Sequence, residues 1–163
     1  MNFTIIEAQP SHIKSIRNLA FEIWNEHYPA IIGQEQVDFM LNSMYSEASL
    51  KEQLNQVQFY IIQENNTSIG FISAEVKEFE QGFIPKCYIL KDYRGSGAAN
   101  LLMQKAFDFL ISNNCKTVRL QVNRQNVMAI NFYFKIGFKI EKSADFPIGN
   151  GFEMNDFIMI KNL

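Results

Sequence analysis

Two stretches carry residue types at spacings that could do chemistry. The first is Ile89-Leu90-Lys91-Asp92-Tyr93-Arg94-Gly95-Ser96-Gly97-Ala98-Ala99-Asn100-Leu101-Leu102. It reads as the end of a buried strand, a tight turn and the first turn of a helix. A helix N-terminus leaves N–H groups without intrahelical acceptors, and a phosphate can take them. Gly95 and Gly97 let the backbone approach an anion because no Cβ intervenes, and Arg94 adds a cation beside the turn. The junction predicts binding of a phosphorylated cofactor. The second stretch runs from Asn126 to Phe138. In it Asn126 and Tyr133 stand seven residues apart, two helical turns, and so share one face. One surface thereby offers an amide and a phenol to the same extended ligand.

Three glycine-turn patterns compete for the first stretch. A Walker loop needs Gly-x-x-x-x-Gly-Lys followed by Ser or Thr, and no such string is present. A dinucleotide fingerprint needs Gly-x-Gly-x-x-Gly, but Asn100 stands at the third glycine. That fingerprint also wants an acid about 20 residues on, and Cys115 to Val122 contains none. The third pattern, Arg-x-x-Gly-x-Ala, is matched by Arg94, Gly97 and Ala99. This match resembles the acyl-CoA-binding motif of the GNAT superfamily of N-acetyltransferases. Alone it also fits an ordinary strand-turn-helix corner. The second stretch, Asn126-Val127-Met128-Ala129-Ile130-Asn131-Phe132-Tyr133-Phe134-Lys135-Ile136-Gly137-Phe138, is similar to that family's second signature, Asn-x-x-Ala-x-x-Phe-Tyr-x-Lys-x-Gly-Phe. It lies one strand downstream of the first, as the family requires. The resemblance extends over the whole chain, 1–163, as a single N-acetyltransferase domain.

The resemblance implies acetyl-CoA as cosubstrate and a primary amine as acceptor, joined by direct attack in a ternary complex. The N–H groups of Gly95, Ser96, Gly97, Ala98, Ala99 and Asn100 would hold the pyrophosphate beside Arg94. Backbone groups of Ile89 and Leu90 would bond the pantetheine through a splay around Leu90 and Val122, and a backbone N–H there could stabilise the oxyanion. Asn126 would bond the pantetheine arm and Lys135 would reach the nucleotide end, although Lys135 fits equally a solvated helix lysine. Tyr133 would sit by the thioester sulfur as general acid. A phenol near ~10 can protonate a departing thiolate near ~8.5 without losing its own proton first. Trp24 and Tyr28, with Glu26, fall where the family's helix pair walls the acceptor pocket, and Trp24 suits the core equally well.

One departure concerns the base. Many relatives carry a glutamate near the position of Pro85, and proline takes no proton. Glu22, Glu26, Glu75, Asp156 or a water chain remain as receivers. Within the superfamily, Phe21 to Tyr45, Leu50 to Tyr60 and Asp156-Phe157-Ile158-Met159 look similar to the PaiA-type branch, which includes spermidine/spermine N-acetyltransferases. Glu22, Glu26, Glu35 and Asp38 would then form an acidic mouth for a polycation, or simply a helix surface. Acetylation of a protein N-terminus or lysine is the rival substrate class. A non-catalytic acyl-CoA-binding module is the rival function, but it need not keep Tyr133.

The elements that must position these residues follow from pattern. Strand signals cover Phe3 to Glu7, Gln58 to Gln63, Ser68 to Lys77, Phe83 to Leu90, Thr117 to Val122, Phe138 to Lys142 and Phe152 to Ile160. Helical spacing predicts helices from an N-cap at Ser11 to about Glu26, over Gln34 to Met44, Ser46 to Asn55, Ser96 to Ser112 and Asn126 to Ile136. In the long helix, Ala98, Leu101, Leu102, Ala106, Phe109 and Leu110 are the expected buried side. Strands on both sides of that helix imply a parallel, right-handed crossover. The fold class is α/β or α+β, and the resemblance implies a GNAT-like mixed, mostly antiparallel sheet of about seven strands with about four or five helices.

Totals narrow the setting. A length of 163 residues suits one domain, and 47% hydrophobic residues with 15 Phe can fill its core. Fifteen Lys+Arg against 17 Asp+Glu argue against nucleic acid as partner. No apolar run approaches the ~18 residues of a membrane span, and Met1 to Ile5 lacks a signal-peptide layout. Cys87 and Cys115 read as free thiols, so a cytoplasmic setting is expected. His12 and His27 stand apart from the cysteines, so no metal site is expected. Relatives are often dimers, which allows a homodimer, although no strand here demands a partner.

Overall fold

β-Branched and aromatic runs become strands, and the helically spaced runs become helices on both faces of one sheet. The structure, a computed structural model, describes residues Met1 to Leu163. Its elements are β1 (Phe3–Glu7), α1 (Ile13–His27), α2 (Pro29–Ile32), α3 (Gln34–Met44), α4 (Glu47–Gln56), β2 (Gln58–Glu64), β3 (Thr67–Lys77), β4 (Gln81–Ile89), α5 (Ala98–Ser112), β5 (Thr117–Asn123), α6 (Val127–Lys135), β6 (Lys139–Gly149) and β7 (Phe152–Asn162). The seven strands order as β1-β2-β3-β4-β5-β7-β6, with only the β4–β5 pair parallel. The mixed sheet and the crossover through α5 agree with expectation. No helix is long and apolar enough to cross a membrane.

Several boundaries differ for physical reasons. Ser11 does not cap α1. It lies in a 3-10 turn, Pro10–His12, where His12 Nδ1 accepts the Gln9 N–H at 2.9 Å. Pro29 ends α1 but also opens α2, because the first position of a helix needs no N–H. That short turn raises the helix count to six. Leu101 is exposed on α5 while Met103 and Phe107 are buried, so the buried stripe is rotated from the expected one. The β6–β7 hairpin is longer than the sequence suggested, since its outer strand is almost wholly solvated and shows no apolar alternation.

Two hydrophobic clusters sandwich the sheet. One joins α5 and α6 to the sheet around Leu102, Leu110, Leu120 and Met159, and the other joins α1, α3 and α4 around Ile16, Leu41, Leu50 and Phe71. β4 changes faces between them. Phe83 pairs with Glu75 but Lys86 pairs with Ser73, so two residues, Ile84 and Pro85, oppose Ala74 alone. This is a β-bulge, a place that tolerates a proline because one backbone group is unpaired anyway. Before the bulge Gly82 and Ile84 face α5; after it Ile89 does, and Lys86 and Tyr88 turn toward α1 and α3.

The bulge also ends the parallel ladder. β4 and β5 pair from Gln81↔Thr117 to Ile84↔Leu120 and no further. Pro85 has no N–H with which to continue. The two strands therefore splay from Pro85 onward, several residues earlier than the expected opening near Leu90.

Candidate active site

The splay opens a cavity of about 420 Å³ that runs from the turn after β4 to the space beneath α1 and α3. At one end stands the glycine turn. Gly95 and Gly97 have φ of +78° and +92°, values that an L side chain resists. A Cβ at either would meet nothing within 4 Å, so their faces are open. Ser96 N–H bonds Tyr93 O at 3.3 Å and Ala98 N–H bonds Ser96 Oγ at 3.3 Å. The N–H groups of Gly95, Gly97, Ala99 and Asn100 have no protein acceptor, leaving four donors at the start of α5. That is the donor set a diphosphate requires. Arg94 flanks it, but Glu26 of α1 takes its Nη2 at 2.8 Å and also lies 3.4 Å from Lys91. Burial pushes the Glu26 carboxyl up, but the two cations outweigh it and hold it below its ordinary value.

The next stretch is bare β4 backbone. Leu90 N–H bonds Ile69 O at 2.9 Å and Leu90 O accepts from Tyr93 N at 3.0 Å, so both its groups are engaged. This corrects the expectation that Leu90 faces the cofactor. Antiparallel pairing alternates, so Lys86 and Tyr88 also turn their backbone to β3. Cys87 and Ile89 then present theirs to the gap, where Ile89 O lies 3.4 Å from Arg94 Nε. Cys87 was not among the sequence candidates, because the bulge that decides which residues face the gap leaves no mark in composition.

Asn126 and Tyr133 both reach this cavity. Asn126 caps α6, accepting Ala129 N–H at 3.4 Å. The same amide oxygen accepts His27 Nε2–H at 3.1 Å, and Asn126 Nδ2 donates to Tyr28 Oη at 3.3 Å. Asn126 thus ties α6 to the end of α1. Tyr133 is nine-tenths buried between Phe132 and Phe138. Burial first, then Cys87 and Tyr28, push its phenol well above the ordinary value. Lys135 is exposed and off the cavity wall.

Beyond Tyr133 the cavity continues toward the helix pair. Trp24 stacks on Tyr28 at 4.5 Å and both line it. Glu26 does not: its carboxylate is spent on Arg94 and Lys91, a correction to its assignment as an acceptor contact. Glu22, Glu35 and Asp38 are exposed and also lie off the wall. Of the four carboxylates considered as proton receivers, only Asp156 lines the cavity; Glu75 is paired with Lys77 at 2.7 Å. Asp156 is 3% exposed, and burial pushes its pKa up to about 6, with Arg124 pulling down and Asp145 adding to the rise. Lys86, 5% exposed, also lines the cavity and escaped the sequence reading, since a lysine in a strand usually faces water. No group of His, Cys, Asp and Glu is arranged to hold a metal.

A splayed parallel pair, a donor-rich helix start on one side and a capped helix with a buried phenol on the other define an acyl-coenzyme-dependent transferase. The chain matches the Acetyltransferase (GNAT) family over residues 14–138 and belongs to it. It is 24% identical to the spermidine N(1)-acetyltransferase of Thermoplasma acidophilum, over 99% of this chain and 98% of that protein. An uncharacterized N-acetyltransferase of Mycobacterium bovis is 29% identical over 83% of this chain and 87% of its own. Among solved structures, the PaiA N-acetyltransferase of T. acidophilum in complex with coenzyme A superposes with a TM-score of 0.86 at 25% identity, covering 100% of both chains.

Proposed function

We propose that the whole chain acts as one N-acetyltransferase domain, moving acetyl from acetyl-CoA directly to a primary amine held in the same cavity. The observation that carries this reading is the set of four unpartnered N–H groups at the start of α5, two of them on Gly95 and Ala99 of the wall of a cavity that runs past Tyr133. Their donor chemistry suits the diphosphate of coenzyme A, and the backbone that Cys87 and Ile89 turn to the gap suits its amide-bearing arm. Bound there, acetyl-CoA would supply a thioester carbonyl for the amine to attack.

The chain's own groups divide the proton work. Tyr133, its pKa raised by burial, keeps its proton at neutral pH and is suited to give it to the departing sulfur. Asp156, at about 6, is ionised at neutral pH and suited to take the proton of the incoming amine. Cys87 is the one thiol on the wall, and burial pushes it up to about 12. A thiol so protonated is a poor nucleophile, which favours direct attack over an acyl-cysteine route.

The polyamine class draws support from the Thermoplasma spermidine enzyme. Against it, none of the four acids expected to form a polycation mouth lines the cavity. Free-thiol release from acetyl-CoA with spermidine, spermine, diamines, amino acids, peptides and aminoglycosides tests the activity. Tyr133→Phe is expected to lower kcat about 100-fold while acetyl-CoA affinity holds. Unchanged turnover in that variant removes Tyr133 from the mechanism, and no release with any amine removes the activity.

A further inference from the structure

The acceptor end of the cavity holds a buried cation with no counter-ion. Lys86 is 5% exposed, its ammonium lies 5.3 Å from the centre of the Tyr45 ring, and it takes part in none of the six ion pairs. Such burial without a partner is costly, and proteins keep it mainly where a function needs the charge. The one carboxylate that acts on it, Glu75, is already bound by Lys77 at 2.7 Å.

Its surroundings add donors. Ser73 is the cross-strand partner of Lys86, so their side chains leave the same face of the sheet. Ser73 Oγ, Tyr45 Oη and Trp24 Nε1 are all buried, and the Tyr45 hydroxyl lies against the Tyr88 hydroxyl and the Trp24 indole N–H. Trp24 and Tyr45 are neighbours, with ring centres 5.9 Å apart. Of these residues, Trp24 lines the cavity together with Lys86. A buried ammonium on the cavity wall without a counter-ion calls for an acceptor-only, anionic group.

A carboxylate lies on the same face of the sheet. Asp156 pairs with Asn123 across β5 and β7, on the side of the sheet opposite Phe157 and Met159, and therefore on the side of Lys86. It makes no ion pair. Lys86 on β4 and Asp156 on β7 stand two strands apart, and the same wall carries Met40, Met44, Tyr28 and Met154.

From this arrangement we infer that the acceptor is an amine that also carries a carboxylate on an apolar body, its amine turned toward Asp156 and its carboxylate held by Lys86 beside Trp24. The inference rests on reading this cavity as the acceptor pocket of the transferase. A polycation would bring further positive charge to Lys86.

Trp24 is the sole tryptophan of the chain and lines the cavity, so its fluorescence reads occupancy without any turnover. Titration compares 6-aminohexanoate with pentylamine, 8-aminooctanoate with heptylamine, and both pairs with spermidine, on the intact protein saturated with coenzyme A. The carboxylated member of each pair is expected to bind at least about tenfold more tightly, the worth of a charge-assisted hydrogen bond. In Lys86→Met, which keeps the side-chain length and removes the charge, the members of each pair are expected to bind alike. Equal or tighter binding of the decarboxylated amines or of spermidine to the unaltered protein overturns the inference. So does an unchanged carboxylate preference in Lys86→Met, or an equal loss of kcat for both members with no change in binding, which would make Lys86 a proton carrier. Thiol release with the same compounds is scored separately. Its absence for every amine counts against acetyl transfer, while the binding preference still decides the carboxylate site.

Discussion

At the residue scale, the decisive pair is Tyr133 and Asp156, because burial moves both in useful directions. Each is raised chiefly by loss of water, yet the consequences differ. A phenol pushed up stays a donor across the neutral range. A carboxyl pushed to about 6 stays a base at neutral pH but is a stronger one than a solvated aspartate. The pH profile should carry that signature. Below its pKa, the acceptor amine becomes tenfold less deprotonated for each pH unit, giving log kcat/KM a slope of about one. Protonation of Asp156 adds a second unit of slope below about pH 6. Asp156→Asn should lower kcat/KM by about 100-fold and abolish the extra slope. A variant that retains the steep acid limb would assign that proton to another group. The same raised pKa has a cost in stability. The folded state binds more protons than the unfolded one between the ordinary 3.8 and about 6, so this contribution is greatest at low pH and is lost as pH rises through that window.

At the element scale, the turn between β4 and α5 concentrates the anion chemistry. Gly97 has φ +92° and open space around its missing Cβ, so alanine there meets no clash and pays only for the left-handed backbone, about 1 kcal/mol. The four open N–H groups depend on that same conformation. Gly97→Ala is therefore expected to weaken coenzyme A binding by at least about tenfold in calorimetry while lowering Tm by only a few degrees. Equal affinity would show that the turn does not hold the diphosphate. This turn was legible in sequence because its glycines, its arginine and the following apolar helix leave a local pattern. The α3 bounds, Gln34–Met44, were legible because its apolar residues recur at helical spacing. The bulge at Ile84 and Pro85 was not. It depends on pairing with Ala74 of a different strand, and it decides both where the splay starts and that Lys86 faces the acceptor pocket. Leu101 was misassigned because a helix of such high apolar content offers more than one plausible buried stripe.

At the scale of the whole molecule, the cavity separates β1–β4 with their helices from β5–β7 with α6, and the end of α1 bridges the gap. His27 and Tyr28 hold Asn126 on the far side, while Glu26 holds Arg94 and Lys91 on the near side. One helix end thus sets the spacing between the anion-binding turn and the helix that carries Tyr133. Its two attachments differ in kind. The Asn126 contacts are part-buried and include a helix cap, so they contribute to folding. The Glu26 pairs are solvent-accessible, contribute little to stability and are readily screened. They do, however, occupy the cation that an incoming diphosphate would recruit. On the proposed reading, coenzyme A competes with Glu26 for Arg94. Glu26→Gln removes the competitor but keeps the side-chain volume. It is expected to leave Tm within about 1 °C and to tighten coenzyme A binding severalfold at low salt, an advantage that shrinks as ionic strength rises and the Debye length falls to about 8 Å. Calorimetric titrations at two salt concentrations check this. Weaker binding in the variant would mean that Glu26 positions Arg94 for the diphosphate instead of withholding it, because a carboxylate that only competes cannot improve affinity by its presence.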